Sequence, residues 1–321
     1  MNNCIDQHAD FLADVLAGLG SPIKTIPSRW LYDDTGSELF SEITKLTEYY
    51  LTRTEIDLLR THQREIAAFC GDSPTIVEYG AGFGEKTEIL LAALRTPESY
   101  VTIDISKHAL ENVRERVLKR FPNLDVIPIA ADFLQEVLTE LHLPSSRNVV
   151  SFFPGSTIGN LSPQELSSFF RNLPISEAGT GKAIIGVDLQ QNISKHLAAY
   201  DDAEGVTAEF NLNLLQRINS ELDGTFPIDR FEHVIRWAPR NAAIEMHLRS
   251  RDTTTVKVAG KSIPFTRGET IHTETSRKYT LDGFERAIRP FGWKVEHTWS
   301  DTGESFAVFG ISRNEWQGTR S

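Results

Sequence analysis

The chain has 321 residues, 40% hydrophobic and 24% charged, an ordinary globular composition with room for one large domain or two modest ones. A formal net charge of -11 without a basic run argues against nucleic-acid and anionic-membrane partners, and leaves small zwitterionic or cationic ligands open. Cys4 and Cys70 lie far apart, with no C-x-x-C and no His pair at metal spacing, so both read as reduced thiols and no metal is expected. The first twenty residues carry three Asp and no basic stretch, unlike a secretion signal. No apolar run reaches the roughly 18 residues of a membrane span. A cytoplasmic monomer is the expectation.

The elements follow in chain order. Residues 54–70 have helical spacing, with Thr54 in the N-cap position. "TIVEYG" (75–80) reads as a buried strand and 86–95 as a helix. A strand over 100–106, a helix over 107–121 and a strand over 124–133 come next. A helix near 134–141, a strand over 148–155, a helix over 163–173 and a strand over 182–189 complete the alternation. Near-continuous apolar strands alternating with helices predict a parallel sheet covered on both faces, spanning roughly 72 to 190.

After 190 the pattern changes. Residues 205–223 keep helical spacing, and 231–279 read as antiparallel strands with turns at Pro239–Arg240–Asn241 and Gly260. The helix "LDGFERAIRPFG" and an antiparallel pair, "WKVEHTWSD" and "SFAVFGIS", return to the first style and suit the edge of the parallel sheet. The predicted division is a helical segment 1–53 joining a smaller subdomain, an α/β core 54–195, an inserted α+β subdomain 196–278, and 279–321 completing the core sheet.

"IVEYGAGFGEKTE" places Gly80, Gly82 and Gly84 between a strand and a helix, where the backbone can turn sharply and a ligand can approach closely. The dinucleotide fingerprint requires glycine at position 85, but Glu85 stands there and would repel a pyrophosphate. The pattern E-x-G-x-G-x-G, with Glu78 in the strand, resembles motif I of S-adenosylmethionine (SAM)-dependent methyltransferases, which implies a Rossmann-like class I sheet and SAM as cofactor. Asp104 ends the second strand 20 residues past Gly84, the spacing of a ribose-binding carboxylate. A solvated Asp104 beside a helix capped through Ser106 is the alternative. "ADF" ends the third strand, so Asp132 and Phe133 are candidates for the adenine amino group and ring.

The fourth strand runs into "FFPGSTIGNLSP" (152–163), at the carboxyl edge where open α/β sheets bind ligands. It lacks the D/N-P-P-Y/F sequence of nucleic-acid amino methyltransferases. Gly155 admits a close approach, and Asn160 offers a donor and an acceptor for an amino acid, or else serves as a turn or cap residue.

Four segments carry a sharper resemblance: "SRWLYDDTGSELFSEITKLTEYYLTRTE" (28–55), "GSTIGNLSP" (155–163), "AYDDAEGVTAEFN" (199–211) and "IHTETSRKY" (271–279). Together they resemble the L-histidine Nα-methyltransferases of ergothioneine biosynthesis. The resemblance implies that Asn160 and Tyr200 bind the substrate carboxylate and that Tyr50 sits by the α-amino group. Glu274 and Ser276 would bind the imidazole, with Tyr32 nearby and Met246 against the ring. Gly80, Lys86, Asp104, Asp132 and Phe133 match cofactor positions. Tyr50 aligns less firmly than the others because Tyr49 precedes it, and Met246 depends on strand register.

Methyl transfer to an amine is an in-line displacement in which positioning supplies much of the acceleration. The expected activity is stepwise conversion of histidine to its trimethylated form, hercynine, with Tyr50 or water receiving the amine proton. By residue pattern alone Glu274, between Thr273 and Thr275, could equally face water, and Arg277 and Lys278 read as solvated charges. Three other readings stand beside this one: methylation of another aromatic amino acid, a nicotinamide-dependent oxidoreductase on the same sheet, and a noncatalytic binding module.

Overall fold

The structure, a computed structural model, describes residues 7–80, 82, 84–134, 148–176 and 180–314. The expected helix near 134–141 lies outside these residues from position 135 onward, as does Cys4. The chain divides into two units, Met1–Tyr50 with Asn192–Arg277, and Leu51–Gln191 with Lys278–Ser321.

In the second of these, apolar strands stack side by side as their composition demands. Thr75–Tyr79 and Val149–Phe153 are buried at every position. The seven-stranded sheet runs in the spatial order Lys294–Ser300, Phe306–Asn314, Thr180–Asp188, Val149–Phe153, Thr75–Tyr79, Ser99–Asp104, Asp125–Ala130. The last five are parallel, and the two C-terminal strands add as an antiparallel pair along Thr180–Asp188. The chain leaves Thr75–Tyr79 toward one edge and resumes at Val149–Phe153 on the other side. The switch point therefore falls between these two strands, and their carboxyl ends lead into the Gly80 and Gly155 loops. Tyr79, Phe133, Phe153 and Phe169 pack ring to ring beneath these ends, with centroids 4.5–6.2 Å apart.

Two boundaries differ from expectation in ways that packing explains. The helix predicted over 54–70 is two helices, Tyr50–Thr61 and Gln63–Cys70. Thr54 is interior to the first, because Leu51 belongs to the same buried stripe as Leu58 and Leu59 and packing extends the helix backward. The strand predicted over 124–133 ends at Ala130, and the Ala131 N–H makes one last bond to the Asp104 carbonyl. Asp132 and Phe133 thus stand just beyond the ladder.

The other unit holds a four-stranded sheet ordered Lys24–Thr25, Thr270–Arg277, Ala243–Ser250, Phe231–Ala238. Lys24–Thr25 pairs in parallel and the remaining neighbours are antiparallel. A separate hairpin joins Thr254–Val258 to Lys261–Phe265. The Val206–Glu221 helix buries Phe210, Asn211, Leu214, Leu215 and Ile218. A bulge separates His272, opposite His247, from Glu274, opposite Met246. Met246 and His247 are consecutive on one strand and point to opposite faces, so the bulge sends His272 and Glu274 to opposite faces too. Glu274, Ser276 and Met246 share one face.

Candidate active site

The glycine loop is built as its residue types require. Gly80, Gly82 and Gly84 take φ values of 81°, 48° and 72°, each of the sign that side-chain-bearing residues resist, and Gly84 is the N-cap of the Glu85–Ala93 helix. A Cβ placed on Gly80 would meet nothing within 4 Å, so the space before the loop is open. Beneath it Glu78 is buried and accepts bonds from Thr87 Oγ1 at 2.7 Å and from the Tyr100 hydroxyl. Burial pushes its carboxyl up to about 7, against the pull of these two donors.

Asp104 and Asp132 are half-buried at successive strand ends. Asp104 Oδ1 accepts from the Ser106 N–H at 2.8 Å, and Asp132 Oδ1 from the Leu134 N–H at 2.9 Å. These short-range bonds fix each carboxylate by its own turn. Ser106 does cap the following helix, accepting from the Ala109 N–H at 3.2 Å. The open glycine loop, two half-exposed acids and the Phe133 ring form a set that fits SAM: acids for ribose hydroxyls and an exocyclic amine, a ring edge for adenine, and Lys86 for a carboxylate.

Lys86 Nζ pairs with the carboxylate of Glu55, which is 1% exposed and also accepts from the Gly155 N–H at 2.9 and 3.1 Å. Beyond Gly155, the Ser156 hydroxyl accepts from the Asp188 N–H at 2.9 Å. Asn160 lies in the short 3-10 turn Thr157–Asn160, and Ser162 rather than Asn160 caps the Pro163–Asn172 helix, in a capping box with Glu165. Lys278, expected as a solvated charge, is instead 1% exposed and pairs with fully buried Asp188 at 2.6 Å. Glu55, Asp188 and Lys278 escaped the sequence reading. One signal for Glu55 was available: Gly186 interrupts a buried strand, and a Cβ there would sit 2.0 Å from Glu55 Oε1.

In the four-stranded unit, Glu274 is 6% exposed rather than solvated. The Tyr32 hydroxyl donates to its Oε1 at 3.4 Å, and burial, then the nearby Glu274 charge, holds the Tyr32 phenol far above its ordinary range, so it stays a donor. Tyr32 follows the turn Ser28–Leu31, which Asp14 anchors by accepting from Arg29 at 2.7 Å and Trp30 Nε1 at 2.8 Å. Ser276 accepts from the Tyr200 hydroxyl at 2.7 Å. Met246 is 1% exposed opposite Glu274.

Tyr32, Phe40, Tyr49, Tyr200 and Phe210 make one aromatic cluster, with centroids 5.4–6.3 Å apart. The Tyr49 ring meets Tyr200 edge-on. The Tyr50 hydroxyl lies 3.2 Å from Nδ1 of buried His196, which stacks on Trp237. Among the described residues, no group of three or more His, Cys, Asp and Glu could hold a metal ion, and no helix is long and apolar enough to cross a membrane.

A donor-bridged carboxylate and an aromatic cluster in one unit, and a SAM-type loop in the other, agree with comparisons to known proteins. The profile of a family described as histidine-specific, SAM-dependent methyltransferases matches residues 11–313. A histidine N-alpha-methyltransferase of Mycolicibacterium smegmatis is 37% identical over 300 residues, 92% of each chain. Its namesake in Mycobacterium tuberculosis is 35% identical over 306 residues, 94% of each. Ergothioneine biosynthesis protein 1 of Neurospora crassa is 28% identical over 291 residues, 86% of this chain and 32% of that protein. This chain belongs to the family of histidine-specific, SAM-dependent methyltransferases.

Proposed function

We propose that the enzyme methylates the α-amino nitrogen of free L-histidine, up to the trimethylated product hercynine, as the first step of ergothioneine biosynthesis. The observation that carries this reading is buried Glu274 with Tyr32 donating to it, on the same strand face as Ser276 and Met246. An imidazole N–H gives such a carboxylate a further donor, whereas a phenyl ring covers it and gives it none. The relatives' names support the same substrate.

SAM supplies an electrophilic methyl group on its sulfonium. The chain's residues bind and orient: Asp104 the ribose, Asp132 and Phe133 the adenine, Lys86 and the Gly80, Gly82 and Gly84 loop the methionine end. Asn160 and Tyr200 take the histidine carboxylate, and Gly155, without a side chain, lets the substrate approach the backbone. The aromatic cluster suits an increasingly methylated ammonium, since ring faces attract a cation without needing its N–H groups. Tyr50 sits by the α-amino group, and Tyr49, facing Tyr200, extends the aromatic surface for the methylated ammonium. We place the enzyme in the cytoplasm as a monomer; its net charge of -11 and lack of basic runs argue against nucleic-acid and anionic-membrane partners.

Incubating the enzyme with SAM and L-histidine and analysing the product by mass spectrometry tests the proposal. Addition of one, two and three methyl groups at the α-nitrogen is expected. Transfer to the ring nitrogens, or to other amino acids but not histidine, would reject it.

A further inference from the structure

Glu55 closes one of the segments that carry the family resemblance but has no role assigned by it, and it is among the most completely buried carboxylates, 1% exposed. Three features converge on it. Its Oε2 takes the ammonium of Lys86, which follows the glycine loop by two residues. Both of its oxygens accept from the Gly155 N–H, at 2.9 and 3.1 Å. The third is the bare Gly186 strand position, which leaves the room its carboxylate fills. A buried carboxylate bonded by charged and backbone donors is held rigidly. A lysine side chain, by contrast, has four rotatable bonds and loses considerable rotamer freedom when ordered.

From this geometry we infer that Glu55 is a positioning residue for cofactor recognition: it parks the Lys86 ammonium beside Gly155, so that the charge is already in place for the carboxylate at the methionine end of the cofactor. A Cβ on Gly155 would lie 3.5 Å from Lys86 Nζ, which shows how closely the ammonium is held against that backbone. Preorganisation of this kind raises affinity by sparing the ligand the cost of ordering its partner. Glu55 is itself an anion, so a second effect runs the other way: it partly offsets the charge that Lys86 presents. The buried, three-contact arrangement favours positioning over competition.

The inference rests on the proposed SAM site, and its test separates the two. S-adenosylhomocysteine, which has the amino-acid end, and 5′-methylthioadenosine, which lacks it, are titrated calorimetrically into the wild-type enzyme and into Glu55→Gln, which retains an acceptor for the Gly155 N–H. If the wild type binds neither, the SAM-site reading fails before Glu55 is questioned. The expected result is about tenfold weaker binding of S-adenosylhomocysteine by Glu55→Gln, with methylthioadenosine changed less than twofold. Lys86→Met should produce the same selective loss, and Glu55→Gln with Lys86→Met no more than Lys86→Met alone, since both act through one ammonium. Equal losses for both ligands would reduce Glu55 to a structural residue. Unchanged or tighter S-adenosylhomocysteine binding would overturn the inference.

Discussion

Single residues here are informative where burial and chemistry conflict. Glu78 is an acid held neutral up to about pH 7 by desolvation. Its raised folded pKa means that the associated stability is fully present below about pH 4, near the unfolded value, and is lost as pH rises through about 7, amounting to about 3 kcal/mol. Urea titrations across this range should show the enzyme losing stability toward pH 8, and Glu78→Gln should flatten that slope. Aromatic placement gives a second test. Tyr49→Leu removes a ring that faces Tyr200. It should weaken hercynine about 3- to 30-fold in calorimetry and unmethylated histidine less, the range of a lost cation–π contact. Equal weakening of both would remove Tyr49 from the ammonium site. The packing of Tyr49 was hidden in the sequence because two adjacent tyrosines look alike until a helix start at Tyr50 turns them apart. The placement of Asp104 at the end of its strand, and of Asp132 just past the end of the next, was legible because each follows an apolar run. Glu55, Asp188 and Lys278 were not, because each is explained only by a partner 31 to 100 residues away.

At the scale of elements, two local devices brace the loop after Val149–Phe153. The capping box of Ser162 and Glu165 starts the helix that follows. Ser162→Ala should cost about 1 kcal/mol, read as a lower urea midpoint at unchanged slope. The Asp188–Lys278 pair, with no exposure at either side chain, lies one bond network away through Ser156. Lys278→Met should destabilise by about 3–5 kcal/mol because it strands a buried carboxylate, and adding Asp188→Leu should recover much of that loss. If the double variant were no better than the single one, the pair would not be the cause. The strand–helix alternation announced this sheet correctly, since a fully buried parallel strand has a distinctive apolar run. Helix starts were less visible: Thr54 looked like a cap, but the buried stripe through Leu51 decided where the helix begins. The bulge between His272 and Glu274 has no sequence signature among alternating polar residues, yet it determines which face Glu274 occupies.

For the whole molecule, the order of units along the chain follows from the two kinds of patterning. The chain crosses from one unit to the other after Tyr50, after Gln191 and after Arg277. Apolar runs of period-free strands mark one sheet and alternating antiparallel strands mark the other, so both fold types could be read before any coordinates. The short Lys24–Thr25 strand could not, because two residues carry no periodicity and their place is set by the neighbouring Thr270–Arg277 strand. The proposed substrate choice rests on the four-stranded unit's carboxylate reading an imidazole. The most direct test is the kcat/KM of histidine relative to phenylalanine, for the wild type and for Glu274→Ala. A preference of about 10⁴ or more in the wild type, falling by at least a hundredfold in the variant, is the predicted result. A variant that kept the full preference would contradict the account.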